Sequence, residues 1–347
     1  MRTEFITLNE ERNVTLTAYL QEVGGEFYYI KSRPAVLILP GGGYQMCSDR
    51  EADPVVFPYL KAGYQAFILR YSIKKDAVWP QPLLDYEQAV TLIRENAEKW
   101  HVIPDKISVI GFSAGGHLAS AAATLSVNRP NAAILGYPVT GEDAHGLAPT
   151  APDTAAAVDQ RTCPCFLFAT CNDNIVPIRN SIRFMEALSR FDITFESHIY
   201  AYGPHGFSTC ETAVQDRKAP VCDRVENWVQ DSIGWLKDIF GDFGETGLTD
   251  PRCPAKTTAN HEATLSIDCT MEKLMSVEAS KAIITQLLQQ MTAAGTVAQA
   301  PEGSEELNVL GLRMSLRDCL GFSQVPQEVL DHLDEQLRQI DNPDFKA

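Results

Sequence analysis

The stretch Gly111-Phe112-Ser113-Ala114-Gly115 decides the fold that this sequence predicts. It follows an apolar run at 107–110 and opens a segment of small residues at 117–123. A strand, a sharp turn and a helix are therefore expected in succession, with the serine at the turn. Glycine is needed on both sides of Ser113, because a Cβ there would collide with the neighbouring strand and helix. Such a turn strains the serine backbone and exposes its hydroxyl.

Short apolar or β-branched runs alternate with helical patterns from the start of the chain to about residue 245. The predicted strands are 35–39, 65–71, 107–110, 132–137, 165–169 and 194–200, and helices are predicted after Pro80 and over 225–240. Alternation of this kind predicts an α/β domain, with a mostly parallel sheet and helices on both of its faces.

The composition changes at the glycine-bearing segment 240–247. Beyond it, helical patterns are predicted at 277–293, 315–320 and 327–340, without a series of strands. We therefore predict two domains, an α/β domain over 1–245 and a small helical C-terminal domain over 250–347. The second carries no catalytic motif. It is expected to serve as an oligomerisation or docking domain, a packed lid or a stabilising extension.

A catalytic triad is predicted from the order of three residues along the chain. Serine becomes a strong nucleophile when a histidine accepts its proton and a carboxylate fixes the histidine's tautomer. On a sheet of this kind they occur in the order serine, acid, histidine. Asp173 is the sole carboxylate in the loop after strand 165–169, and His205 lies in a glycine-flanked loop after the last strand. We predict Ser113, Asp173 and His205 as the triad, and a structural role for His198.

A second set of residues is expected to stabilise a negatively charged oxygen. Pro40-Gly41-Gly42-Gly43-Tyr44 directly follows strand 35–39, and glycines let backbone N–H groups approach a substrate closely. Gly42 and Gly43 are the predicted donors from this loop, and Ala114, next to the nucleophile, is the third. Tyr44 is predicted to form a wall of the substrate pocket.

Four polar residues near these motifs are interpreted mainly as structural. Arg50 and Glu51 could shape the pocket, but an ion pair that holds the glycine loop is favoured. His117 is expected to pack within the helix that follows the serine. Asp85 is expected to open a helix and complement its dipole.

Charge and composition exclude several classes of function. The chain has 347 residues, and 29 Lys+Arg against 45 Asp+Glu give a net charge of −16. Nucleic acids and anionic membranes need clustered positive charge, so neither partner is expected. No secretory signal or membrane span is found, which predicts a cytoplasmic protein with nine reduced cysteines. No phosphate loop, dinucleotide fingerprint or metal-ligand cluster is found, so neither a cofactor nor a metal is expected.

Residues from about 10 to 240 resemble the α/β-hydrolase superfamily, and more narrowly its bacterial acetyl-xylan-esterase-like carbohydrate esterase branch. The strings that carry the resemblance are LPGGGY at 39–44, GFSAGGHLA at 111–119, DNIVP at 173–177 and HGF at 205–207. The resemblance implies an α/β-hydrolase fold and serine esterase activity on small acyl groups carried by sugars. Many relatives have His where this chain has Pro40, so it is more distant from the hormone-sensitive-lipase-like and kynurenine-formamidase-like groups.

The predicted function is hydrolysis of short-chain acyl esters, above all acetyl esters on sugars or xylo-oligosaccharides, through an acyl-Ser113 intermediate. Two alternatives stay open. One is an amidase, peptidase or formamidase-like serine hydrolase, and the other is a hydrolase fold that binds without catalysis. The expected partner is a small acyl ester, and a homo-oligomer could form through the C-terminal helical domain.

Overall fold

The computed structural model describes residues 1–148, 150–215, 220–293, 305–322 and 325–345. Within this part of the chain, eight strands form one sheet in the order β1-β2-β4-β3-β5-β6-β7-β8. The strands are β1 (Arg2–Asn9), β2 (Val14–Leu20), β3 (Arg33–Leu39), β4 (Gln65–Arg70), β5 (Val102–Phe112), β6 (Ala132–Gly136), β7 (Cys165–Thr170) and β8 (Phe195–Tyr200). The pairs β1–β2 and β2–β4 are antiparallel. The six strands from β4 to β8 across the sheet are parallel.

The mostly parallel sheet confirms the predicted fold class, and all six predicted strands are present. The first two strands, β1 and β2, were not predicted. β1 lies at the sheet edge, with no buried residue, and its alternation is too weakly apolar to distinguish it from an exposed loop. Because the carboxyl ends of parallel strands meet at one edge of a sheet, the loops after β3, β5, β7 and β8 lie together there.

Helices cover both faces of the sheet. They are α1 (Asp53–Lys61), α2 (Gln81–Glu95), α3 (Ala97–Trp100), α4 (Ala114–Thr124), α5 (Arg179–Arg190) and α6 (Trp228–Phe240). Successive residues of β3 point to opposite faces: Leu37 belongs to one hydrophobic cluster, and Val36 and Ile38 belong to another. The first cluster includes side chains of α2, α4 and α5, and the second includes those of α1 and α6.

The chain divides into two compact units, Met1–Ala255 and Lys256–Ala347. The first unit continues past residue 245 through a short hairpin, β9 (Phe243–Gly244) and β10 (Gly247–Leu248). The segment after the hairpin is bonded back to the same unit. Arg252 N–H donates to the Asp238 carbonyl oxygen, and Ala255 accepts from Thr194 N–H.

The second unit is helical in its described residues. Its helices are α7 (Met271–Ser276), α8 (Glu278–Ala293), α9 (Glu305–Arg313), α10 (Leu316–Gly321) and α11 (Gln327–Leu337). It has its own hydrophobic cluster, which includes Leu274, Ile284 and Leu333. The last helix ends at Leu337, before the predicted residue 340, and the Ile340 carbonyl oxygen accepts a hydrogen bond from Leu265 N–H.

No described helix combines the length and the apolar character needed to cross a membrane.

Candidate active site

Ser113 occupies the turn between β5 and α4 in a strained backbone conformation. Its φ is 54° and its ψ is −116°, a combination that non-glycine residues rarely adopt. The turn is held by a 3.0 Å hydrogen bond from Ser113 N–H to the Gly136 carbonyl. A Cβ on Gly111 would lie 2.1 Å from the Gly115 carbonyl oxygen, and one on Gly115 would lie 2.1 Å from the Leu39 carbonyl oxygen. The two flanking glycines therefore permit the contact between strand and helix that the turn requires.

Replacing Gly115 by alanine is expected to lower the free energy of unfolding by about 3 kcal/mol or more, because backbone atoms cannot yield as side chains can. Thermal unfolding of the folded variant would then begin roughly 6–12 °C below that of the parent. Gly234→Ala, in α6, is the matched control, since nothing lies within 4 Å of its added methyl group. The control is expected to gain about 0.5–1 kcal/mol from the loss of a helical glycine. Equal unfolding temperatures for Gly115→Ala and the parent would contradict the close packing at the turn.

The structure brings together the three residues predicted as a triad. The Ser113 Oγ lies 2.8 Å from His205 Nε2, and His205 Nδ1 lies 2.7 Å from Asp173 Oδ2. An ionised carboxylate can only accept, so Nδ1 carries the proton and Nε2 is left to accept from the Ser113 hydroxyl. His198 lies apart from them: its Nε2 pairs with Glu196 at 2.8 Å and its ring stacks on Phe166.

Asp173 has a second task in its own loop. Its Oδ1 accepts the N–H groups of Ile175 and Val176, each at 2.9 Å. Its side chain is only 1% exposed, so water does not compete for these bonds. The carboxylate therefore both shapes the turn after β7 and fixes the orientation of the His205 ring.

The three N–H groups predicted as oxyanion donors belong to Gly42, Gly43 and Ala114. Gly42 and Gly43 have φ values of 130° and 61°, which favour glycine. The N–H groups of Gly42, Gly43 and Ala114 have no hydrogen-bond acceptor within the described ranges. Gly42, Gly43 and Ser113 also line the same cavity, while Ala114 begins helix α4. The arrangement suits an oxyanion hole, which needs donors that are preorganised and unpaired.

The cavity beside Ser113 has a volume of about 370 Å³. Its apolar lining consists of Met46, Val139, Leu147, Ile175 and Val176. Ser48, Arg50 and Asp143 add polar groups. A pocket of this size, largely apolar with a few polar groups, is typical of sites for small molecules. No group of three or more His, Cys, Asp or Glu side chains that could hold a metal is found in the described residues.

The prediction for Tyr44 is wrong: its side chain is not a wall of this cavity. The residue is 0% exposed, and its hydroxyl is hydrogen-bonded to His117 Nδ1 at 2.8 Å. Burial raises the pKa of Tyr44 well above its ordinary value. The His117 Nε2 meets the Pro152 carbonyl oxygen at 2.9 Å. The structural role predicted for His117 fits these contacts, and Tyr44 shares that role.

Two expectations for acidic residues need correction. Asp85 does not open a helix; it lies inside α2, where it accepts from Ser72 N–H at 2.8 Å and from Arg12 at 2.9 Å. Nor does Glu51 pair with Arg50, whose guanidinium donates to the Gln215 side chain instead.

Glu51 holds the glycine loop without Arg50, and it also fits the alternative that the sequence analysis left open, a residue that shapes the pocket. It lines the cavity, and its carboxylate accepts from Gly41 N–H at 2.8 Å and from the Tyr137 hydroxyl at 2.5 Å. Burial raises the pKa of Glu51, while these hydrogen bonds and the nearby His205 and Arg50 oppose the rise. Two local signals pointed to Glu51: its position shortly after the glycine loop, and its place before an apolar helix, where an inward-facing carboxylate is unusual.

Comparison with known proteins gives matches of two kinds. The BD-FAE family profile matches residues 29–132. An acetylxylan esterase of Xylanibacter ruminicola is 29% identical over 196 residues, which are 50% of this chain and 41% of that protein. An endo-1,4-beta-xylanase B of Butyrivibrio fibrisolvens is 33% identical over 207 residues, 51% of this chain and 33% of that protein. The chain thus spans well under half the length of these two relatives.

Solved structures match over most of their own length. MGS-M1, an alpha/beta hydrolase enzyme from a Medee basin deep-sea metagenome library, is 44% identical with a TM-score of 0.64. The match covers 69% of this chain and 98% of that one. An acetyl ester-xyloside bifunctional hydrolase from Caldicellulosiruptor lactoaceticus is 29% identical with a TM-score of 0.58, covering 67% of this chain and 91% of that one.

Proposed function

This chain belongs to the α/β-hydrolase superfamily, and from that premise we propose that it is a serine esterase of the acetyl-xylan-esterase-like branch. The observation that supports the proposal most is the continuous line of hydrogen bonds from Asp173 through His205 to Ser113 at the cavity wall. A neutral imidazole held in this tautomer is ready to accept the hydroxyl proton.

In the proposed acylation step, Ser113 Oγ attacks the ester carbonyl carbon while His205 Nε2 takes the hydroxyl proton. The carbonyl oxygen becomes an oxyanion, and the N–H groups of Ala114, Gly42 and Gly43 are the proposed donors to it. Collapse of the tetrahedral adduct breaks the bond to the alcohol oxygen, which receives the proton from His205. The acyl group remains on Ser113 as an ester.

In the proposed deacylation step, a water molecule attacks the acyl-Ser113 carbon and gives a proton to His205 Nε2. The second tetrahedral adduct forms at the same donors and breaks the bond to Ser113 Oγ, which takes the proton back. The carboxylic acid leaves, and the enzyme returns to its starting state. Asp173 keeps its charge throughout and stabilises the imidazolium that forms twice in each cycle.

We propose a short acyl group, above all acetyl, carried by a sugar. The cavity of about 370 Å³ has room for a small acyl group together with part of a sugar ring. Arg50, Asp143 and Ser48 offer charged and hydroxyl groups to sugar hydroxyls. The relatives named for acetylxylan and acetyl ester-xyloside substrates support the same class.

A series of p-nitrophenyl esters tests the acyl group, and acetylated xylo-oligosaccharides test the alcohol. We expect kcat/KM to be highest for acetate and to fall by about tenfold or more at octanoate, since an octanoyl chain would take up space in the cavity that the alcohol group also needs. Acetate release from the oligosaccharides is expected in the same preparation. Faster turnover of aminoacyl anilides than of acetate esters would favour an amidase, and hydrolysis of no substrate would contradict the proposed activity.

A further inference from the structure

A path of hydrogen bonds links the loop of the proposed oxyanion hole to the loop of the histidine. Glu51 accepts from Gly41 N–H at 2.8 Å with one carboxylate oxygen and from the Tyr137 hydroxyl at 2.5 Å with the other. The Tyr137 oxygen in turn accepts from Ser208 N–H at 3.1 Å. Gly41 directly precedes the two proposed glycine donors, and Ser208 lies just beyond His205 in the same loop. One carboxylate therefore connects two segments that the proposed reaction must hold in register.

Tyr137 links Glu51 to the imidazole ring of His205. Its ring lies against that of His205, with centroids 5.0 Å apart and planes at 69°, the edge-to-face arrangement that aromatic pairs favour. Its backbone has a φ of 34°, which is unusual for a residue with a large side chain. The hydroxyl bonded to Glu51 fixes the direction of the Tyr137 ring, and that ring packs against the imidazole of His205.

Gly41 is wedged between Glu51 and the serine turn. A Cβ at Gly41 would lie 2.6 Å from Glu51 Oε2, 2.7 Å from the Phe112 carbonyl oxygen and 3.1 Å from the Ser113 Cβ. The Gly41 backbone therefore has little freedom on the side of Ser113. Its N–H bond to Glu51 sets its position, and with it the direction of the donors that follow.

Burial of the Glu51 carboxylate is energetically unfavourable. It is 3% exposed, and no Lys, Arg or His nitrogen of the described residues lies within 4 Å of its carboxylate. Burying a carboxylate without an ion-pair partner costs free energy that an apolar side chain would not. An acidic group retained at such a cost in the wall of a cavity is often functional.

We propose that Glu51 is a positioning residue for the ester hydrolysis proposed above, on which this inference rests. Its carboxylate holds the Gly41–Gly43 loop and the Tyr137–His205 pair in the relative positions that the tetrahedral adduct requires. It does not touch the substrate carbonyl or exchange protons with it. Its effect is on how well the donors and the imidazole are aligned when the oxyanion forms.

Two substitutions test the path of hydrogen bonds, one at Glu51 and one at Tyr137. Glu51→Gln keeps the size of the side chain but turns an amide NH₂ toward one of the two donors, and Tyr137→Phe removes only the hydroxyl. Asp85→Asn is the matched control. Asp85 lies in α2, away from the cavity, is equally buried, and accepts from Ser72 N–H and from Arg12. Each protein is labelled to completion with a fluorophosphonate, so that rates are expressed per reactive Ser113.

We expect kcat for p-nitrophenyl acetate to fall about 10- to 100-fold per labelled site in Glu51→Gln and about tenfold in Tyr137→Phe, with KM changed less than about threefold. The inhibition constant of a trifluoromethyl ketone, whose adduct with Ser113 carries an oxyanion, is expected to rise in parallel with the loss of kcat/KM. The double variant is expected to lose little more than Glu51→Gln alone, since both changes break one path. Asp85→Asn is expected to unfold at a lower temperature with kcat per site within about twofold of the parent.

A kcat per labelled site within twofold of the parent in Tyr137→Phe would overturn the inference, as would losses that multiply in the double variant. If Glu51→Gln does not fold, Tyr137→Phe decides alone. Failure of the proposed function is a separate result, in which the parent protein hydrolyses no ester. The rate of fluorophosphonate labelling then takes the place of kcat, and an equal rate in parent and Tyr137→Phe would still overturn the positioning role.

Discussion

Replacing Ser113 by alanine is expected to lower kcat for p-nitrophenyl acetate by about 10⁴- to 10⁶-fold, because the proposed acyl-enzyme cannot form without the serine oxygen. The residual rate would come from water attacking an ester that is still polarised by the backbone donors. The fold should survive the change. Alanine removes only the hydroxyl oxygen, which is hydrogen-bonded to His205. The residue is 9% exposed, and the hydrogen bond from its backbone N–H to the Gly136 carbonyl stays in place.

The measurement is initial rate against ester concentration, with thermal unfolding on the same samples. Ser120→Ala is the matched control, since Ser120 is a second buried serine of α4 whose hydroxyl bonds to the His117 carbonyl oxygen and Thr154. The control is expected to keep kcat within about threefold of the parent while losing roughly 1 kcal/mol of stability. Equal rates in Ser113→Ala and the parent would end the proposal of a serine nucleophile.

Replacing Asp173 by asparagine is expected to lower kcat by about 10³- to 10⁴-fold with little loss of stability. An asparagine oxygen can still accept the N–H groups of Ile175 and Val176, so the loop after β7 should keep its shape. The amide NH₂ would then face His205 Nδ1, which could only accept from it. The ring would be forced into the tautomer with the proton on Nε2, where it cannot take the proton of Ser113.

The variant separates the two tasks of Asp173, because one carboxylate oxygen serves the loop and the other serves the imidazole. Steady-state kinetics and thermal unfolding are measured together. Asp159→Asn is the control: Asp159 pairs with Arg129 outside the cavity, and its loss is expected to leave kcat within about threefold of the parent. A kcat for Asp173→Asn within tenfold of the parent would mean that another group orients the imidazole.

Much of this molecule could be predicted because its signals are local. The central strands of the parallel sheet are apolar runs, as at 35–39, the edge strand at 194–200 alternates, and the turn at Ser113 needs glycines at fixed offsets. The order of Ser113, Asp173 and His205, each in a loop after a strand, was enough to predict that the three would meet at one edge of the sheet. The cytoplasmic location and the oligomer through the C-terminal helical domain stay predictions.

Other features depended on partners distant in sequence. Glu51 was expected mainly to form an ion pair with Arg50 that holds the glycine loop. Its partners are Gly41 and Tyr137 instead, and no pattern in the chain joins these positions. Tyr44 follows three glycines at the expected place, but its side chain turns inward to meet His117.

The sequence by itself determined the alternation of strands and helices, the strained turn and the loops that carry the three proposed catalytic residues, since each follows from periodicity or from the backbone needs of neighbouring residues. The tertiary structure alone decided which buried polar groups are paired. A buried polar group can pair with any donor or acceptor that packing brings within reach. Its partner therefore depends on which elements pack together, and not on which residues are neighbours in the sequence.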